Sequence, residues 1–366
     1  GFAGGVTTTV PTLDPSFSNW LTAHADALDQ GECSAAVVVP RLAEAGAFGV
    51  GVPANLGGAG GSAGDVIELI AAVAERSVTA AFVLWGQRVF IEYLLHTPNG
   101  ELRERLLPSL LRGELAGATG LSNAMKFLSG IEELQVRAEP AGAGFRLAGF
   151  LPWVTNLRRQ GFVLACAVDH GADQPASIFA VPGDAPGVTR GEDLDLVGLR
   201  ASDTAAVSFA HVDLGVGFRL HARATEFLQA VRPTFLSYQC ALALGLARAS
   251  LRYTREASGA VRGVLDATRA EHERHLTQTA RDLGGGLLQR TFEGKPQELF
   301  QIRLRLTEIA LASVNLELMA RGGRAYIHSE TGFARRWREA SFLPVVTPSV
   351  VQLRTELLRH SARECA

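Results

Sequence analysis

Apolar residues recur at helical spacing over the first third of the chain, in Phe17, Leu21, Ala25 and Leu28 and again in Val66, Leu69, Ile70 and Val73. A period near 3.6 residues puts such positions on one helix face, so residues 13–118 are expected to form a helical unit. Its clear interruption runs from Val52 to Ser62, where Pro53 and the glycines at 57, 58, 60 and 61 exclude a helix and permit turns with positive φ. Ser62 is placed to cap the helix that follows, with Asp65 adding negative charge near its N-terminus.

Between about 119 and 214 the pattern shortens to runs at 134–138, 144–150, 162–168, 176–181 and 205–209, separated by turn residues. Alternation and β-branched content predict strands here, and hence a small all-β unit. Helical spacing returns from Phe218 onward, in segments such as 233–256 and 299–321. Gly284-Gly285-Gly286 and Gly322-Gly323 are expected to break them. Leu242, Leu244, Leu246, Leu306, Ile309 and Leu311 supply the apolar stripes of a bundle.

The chain has 366 residues, 47% hydrophobic and 20% charged, enough for a large core divided among two or three packed units. Lys+Arg 35 against Asp+Glu 37 leaves a net charge of -2, so no global field favours nucleic acid or an anionic membrane. No run reaches the ~18 apolar residues of a membrane span. The cysteines Cys33, Cys166, Cys240 and Cys365 stand far apart without a CxxC pair, which argues against a zinc site or a disulfide framework and fits a cytoplasmic setting. Neither G-x-G-x-x-G after a strand nor a P-loop motif occurs, so a Rossmann or P-loop nucleotide site has no support.

Several segments, taken in order, resemble the acyl-CoA dehydrogenase family. They are Gly49-Val50-Gly51-Val52-Pro53 with Leu56-Gly57-Gly58; Thr119-Gly120-Leu121-Ser122-Asn123; Trp153-Val154-Thr155-Asn156; Gly198-Leu199-Arg200-Ala201-Ser202-Asp203-Thr204, leading to Phe209; and Arg321-Gly322-Gly323-Arg324-Ala325-Tyr326. The resemblance implies an α+β multi-domain fold: an N-terminal helical domain (1–118), a central antiparallel β-barrel-like domain (119–215) and a C-terminal four-helix bundle (216–366). It also implies FAD as cofactor. Trp153 would pack against the flavin ring and the Thr155 hydroxyl would approach it, with Ser122 at the pyrimidine edge. Ser202 would lie near the phosphates, with Arg200 in the same cofactor-binding segment; Arg262 would serve the pyrophosphate of a neighbouring subunit, and Gly322 and Gly323 would form a further cofactor-binding segment whose Arg321 and Arg324 add charge toward phosphate. A homo-dimer or homo-tetramer is implied, and no metal.

In that family a carboxylate takes the substrate's α-proton while hydride leaves for the flavin. Here the corresponding turn holds Thr347, and no acid lies between Glu339 and Glu356. An alternative helix offers Tyr238 and Gln239 but no carboxylate. Glu339 and Glu356 are expected to be solvated helix residues, so no base is assigned. The leading expectation is an FAD enzyme that oxidises the Cα–Cβ bond of an acyl thioester, bound to CoA or a carrier, and passes electrons to an electron-transfer flavoprotein or another acceptor. The alternatives are a flavin-dependent monooxygenase of the same fold, which needs no such base, and a catalytically degenerate scaffold subunit.

Overall fold

A computed structural model describes residues 13–130, 132–257 and 262–366. The first helical unit contains α1 (Pro15–Gln30), α2 (Val38–Glu44), α3 (Ala63–Ala74), α4 (Val78–His96) and α5 (Gly100–Leu111). Ser62 caps α3 as the sequence suggests: its Oγ accepts the Asp65 N–H at 3.2 Å, and its own N–H donates to Asp65 Oδ2 at 2.8 Å. α4 is long and apolar enough to cross a membrane by length and composition, but nearly all of it is buried inside the protein, and Gln87, Arg88 and Glu92 interrupt its apolar character. It is the core helix of this unit.

The strands are β1 (Ala116–Thr119), then, after helix α6 (Leu121–Leu128), β2 (Val136–Ala141), β3 (Gly144–Val154), β4 (Phe162–Val168), β5 (Ser177–Pro182), β6 (Val188–Asp193), β7 (Ala205–Leu214) and β8 (Arg219–His221). They form two four-stranded sheets, ordered β1-β4-β5-β8 and β2-β3-β7-β6. The expected barrel does not close, and β1 pairs with β4 in parallel, because β1 enters directly from the helical unit. A single bridge between Arg137 and Asp169 joins the two sheets at one corner. Strand β4 shows why the sheets stack. Phe162, Leu164, Cys166 and Val168 face the core between the sheets, whereas Val163, Ala165 and Ala167 join the core shared with the helices. With both faces buried, its sequence is a continuous apolar run.

The last unit comprises α7 (Ala224–Ala257), α8 (Asp266–Leu288), α9 (Thr291–Gly294), α10 (Pro296–Arg321), α11 (Phe333–Phe342) and α12 (Val350–Glu364). α7 packs on α3, α4 and α10. It crosses α3 closely at Gly245, where a Cβ would lie 2.2 Å from the Ala71 carbonyl oxygen. Leu242, Leu244, Leu246, Leu306 and Ile309 are buried as expected, while Leu311 stays exposed. Contrary to expectation, α8 runs straight through Gly284-Gly285-Gly286. Gly322 does end α10, with φ 67°.

Candidate functional site

Strand β3 carries the residue that defines the candidate site. Leu151 pairs with Val207 and Val154 with Ala205, so Pro152 and Trp153 together oppose one residue of β7. That extra residue is a β-bulge, which Pro152 suits because it has no N–H to leave unpaired. Simple alternation would bury Trp153 beside Leu151. The bulge buries Val154 instead and turns Trp153 outward, 47% exposed.

Behind the tryptophan the chain is tightly fixed. Asn156 takes a left-handed φ of 65° and donates from Nδ2 to Gln87 Oε1 and to the Gly117 carbonyl, each at 2.9 Å. These bonds tie the end of β3 to α4 and β1. The backbone N–H groups of Asn156 and Leu157 donate to the carbonyls of Ser202 and Asp203. Thr155 Oγ1 lies 3.0 Å from Thr204 Oγ1, which lies 2.8 Å from Ser202 Oγ, and Ser202 donates to the Leu199 carbonyl at 2.6 Å.

Thr155 and Ser202 therefore do come together, through Thr204, a residue not singled out from the sequence. They form a buried hydroxyl ladder rather than a free donor pair. The Thr155 hydroxyl, expected to approach a bound ring, has Thr204 as its partner in the protein interior. Ser122 sits in the first turn of α6. The start of that helix borders β3, since a Cβ on Gly120 would lie 2.8 Å from Leu151 Cδ1.

The remaining candidates lie elsewhere. The loop carrying Arg200 docks on α1: Leu199 N–H donates to Asp29 Oδ1 at 2.8 Å, and Arg200 and Ala201 N–H donate to the carbonyls of Asp29 and Leu28. The Arg200 side chain turns outward to Asp195 at 2.7 Å, beside a cleft of about 320 Å³ lined also by Cys33, Ser34 and Arg159. Gly323 lines a separate cleft of about 650 Å³ with Arg321, Arg324, Glu256 and Glu330. Arg321 is bound to Glu317 at 3.0 Å and Arg324 to Glu330 at 2.8 Å. Arg262 opens a short 3-10 turn, and its side chain lies outside the described residues.

Neither acidic candidate is a solvated helix residue. Glu339 is fully buried, accepts the Val78 N–H at 2.7 Å and Arg335 Nη1 at 2.8 Å, and is pushed up to about 7 by burial. It acts as a long-range N-cap for α4. Glu356, on α12, accepts a hydrogen bond from Ser129 just after α6; burial raises its pKa against the pull of Ser129, Arg232 and Arg359. The Thr347 turn is held through its backbone, with Gln239 Nε2 donating to the Thr347 carbonyl at 3.0 Å. The Gly-rich segment near Gly51 is likewise anchored from α4, by Arg88 bonds to the carbonyls of Val50 and Gly51.

The family model for the acyl-CoA dehydrogenase N-terminal domain matches residues 17–114. Benzylmalonyl-CoA dehydrogenase of Aromatoleum aromaticum is 27% identical over 232 residues, 62% of this chain and 61% of that protein. These matches support an acyl-CoA dehydrogenase-family protein. The alignment thus spans about three fifths of that relative's own length. Among solved structures, butyryl-CoA dehydrogenase from Megasphaera elsdenii superposes with a TM-score of 0.82 at 18% identity, covering 96% of each chain. A structure of KijD3 in complex with FMN and a dTDP sugar gives 0.79 at 20% identity, covering 95% of this chain and 91% of that one. At these identities the two structures show the shared fold alone.

A flavin can be tested against these residues. Its ring end fits: Trp153 offers an exposed aromatic face above a rigid, fully hydrogen-bonded base, and Ser122 belongs to a neighbouring segment. For the phosphate end, Arg200, Arg321 and Arg324 each already hold a carboxylate.

Proposed function

We propose that the chain is a flavin-dependent oxidoreductase acting on an acyl thioester. The observation that supports this reading is Trp153, turned out of the sheet by a bulge and backed by the Thr155–Thr204–Ser202 ladder. A large exposed aromatic on a fixed strand end is a wall awaiting a planar partner. Trp153 would hold the ring by stacking, and the segment at Ser122 would border it. When bound, a flavin supplies electron acceptance, which no side chain of the protein can provide. FAD is the form we propose, with an electron-transfer flavoprotein as acceptor and a homo-oligomer as the working assembly. The thioester substrate is inferred from the CoA esters named for the curated relatives.

A second reading is favoured by the acids. Glu339 caps α4, Glu356 is engaged by Ser129, and the turn itself carries Thr347. A reaction that needs no α-proton base, such as oxygen-dependent monooxygenation, suits this arrangement. Anaerobic addition of acyl-CoAs to the flavin-loaded protein separates the two. Bleaching of the flavin band supports dehydrogenation, whereas bleaching only by an external reductant, followed by substrate-dependent oxygen use, supports the second.

A further inference from the structure

Arg303, on α10, is 1% exposed. Its Nε donates to Gln239 Oε1 at 3.1 Å, its Nη1 to Thr307 Oγ1 and its Nη2 to the Leu343 carbonyl at 2.7 Å. All three acceptors are neutral. By contrast, the buried guanidiniums of Arg88, Arg335 and Arg336 hold Glu92, Glu339 and Glu317. Burial pulls the Arg303 pKa down, although an arginine stays charged. Leu343 caps the C-terminus of α11, whose dipole supplies about half a negative charge. The rest of the charge is uncompensated among the described residues, which is costly in a low-dielectric interior.

The Gln239 amide relays this charge in one direction. Its oxygen faces the guanidinium and its Nε2 donates to the Thr347 carbonyl. A carboxylate in its place could accept from Arg303 but could not donate to Thr347. The cation thus stands behind the turn, and Thr347 itself is only half-buried.

We propose that Arg303, acting through the Gln239 amide, makes the Thr347 turn an anion-stabilising wall, and that the acyl group favoured there carries a free carboxylate in addition to its thioester. This rests on the reading that an acyl thioester reaches this turn. A permanent anion on the ligand offsets a charge that the free protein carries without a partner, whereas a neutral acyl tail leaves that cost in place.

The test uses Thr347→Cys as a reporter in a Cys33→Ala, Cys365→Ser background. The remaining thiols, Cys166 and Cys240, are buried and pushed up to about 12, so they stay silent. The pH midpoint of iodoacetamide alkylation is read with Arg303 in place and with Arg303→Met, Arg303→Lys and Gln239→Glu. With Arg303 the midpoint should lie about one pH unit lower than with Arg303→Met. Arg303→Lys should retain most of that shift, and Gln239→Glu should erase it. A purely structural role would not be rescued by charge alone. Equal midpoints with and without Arg303 would overturn the proposal, and should Arg303→Met not fold, an unchanged midpoint in Gln239→Glu does the same.

Calorimetric titration with glutaryl-CoA and pentanoyl-CoA provides the second arm. Glutaryl-CoA should bind roughly fivefold or more tighter, a preference lost in Arg303→Met. Equal or tighter pentanoyl-CoA binding would overturn the carboxylate assignment. Binding of neither, with the thiol shift intact, would instead sink the acyl-thioester reading of the site and the carboxylate assignment with it.

Discussion

Glu339 Oε2 accepts the backbone N–H of Val78 at 2.7 Å, joining α11 to the first turn of α4 across 261 residues of sequence. The same carboxylate takes Arg335 Nη1, while Arg335 reaches Asp26 on α1. Nearby, Asp29 holds both Arg338 and the Leu199 N–H. Units from the start, middle and end of the chain are thus fixed on one acidic cluster, in which Glu339 and Asp29 are buried. Its carboxylates are committed to structure.

The cluster makes stability depend on pH in a stated direction. Burial raises the folded-state pKa of Glu339 from 4.5 to about 7, so between those values the folded protein holds a proton that the unfolded chain releases. The associated stability is fully present below the unfolded value and is lost as pH rises through 7. Denaturant unfolding should show a fall on the order of 2–4 kcal/mol over this window, at about 1.4 kcal/mol per pKa unit. In Glu339→Gln that component should vanish. A pH dependence as steep as that of the native protein would contradict the assignment.

Trp153 and Thr155, two residues apart, should respond in opposite ways. Trp153 is half-exposed, so Trp153→Ala should change unfolding free energy by no more than about 0.5 kcal/mol. It should weaken flavin retention roughly three- to tenfold through lost stacking. Thr155→Val breaks a buried hydroxyl ladder and should cost about 1–2 kcal/mol of stability. Flavin titration alongside urea melts tests the pair; unchanged flavin affinity in Trp153→Ala would move the site elsewhere.

The glycine run in α8 offers a contrast within one helix. A Cβ on Gly284 would meet nothing within 4 Å, so Gly284→Ala should stabilise by about 0.5–1 kcal/mol through helix propensity. At Gly286 it would lie 2.2 Å from Phe292 Cζ, so Gly286→Ala should destabilise, by about 1–3 kcal/mol through overpacking. Thermal melts of the two variants decide it.

These glycines also mark where sequence reading stops. Their composition signals a break, yet tertiary packing of Leu276, Leu283 and Phe292 carries the helix through them. The 162–168 strand was legible because an apolar run bounded by turns has few other uses, and the cap at Ser62 because it is local. The exposure of Trp153 was not, since a bulge shifts the alternation by one residue and leaves no periodic trace. Glu339 was misread for a related reason. A charged residue on a short helix looks solvated until the N–H of Val78, far away in sequence, is brought to it.

The final prediction concerns the turn at Thr347. With no positioned carboxylate there, flavin-loaded native protein should be bleached by saturated straight-chain acyl-CoAs about 10²–10⁴-fold more slowly than a variant with a general base in place. Thr347→Glu is the variant to try, because the turn is tethered by its backbone. Gln239 binds the Thr347 carbonyl, and the Val350 N–H donates to the Pro344 carbonyl at 3.0 Å. Neither bond involves the side chain being replaced, so the new acid should be carried on an unchanged backbone. Arg303 behind the turn would keep that acid ionised and ready to accept a proton. Anaerobic bleaching should therefore be measurably faster in Thr347→Glu than in the native protein, with rates rising as pH increases through the carboxylate range. Fast bleaching of the native protein would show that a base is already present, and Glu356, held at the junction of α6 and α12, would be the first residue to replace.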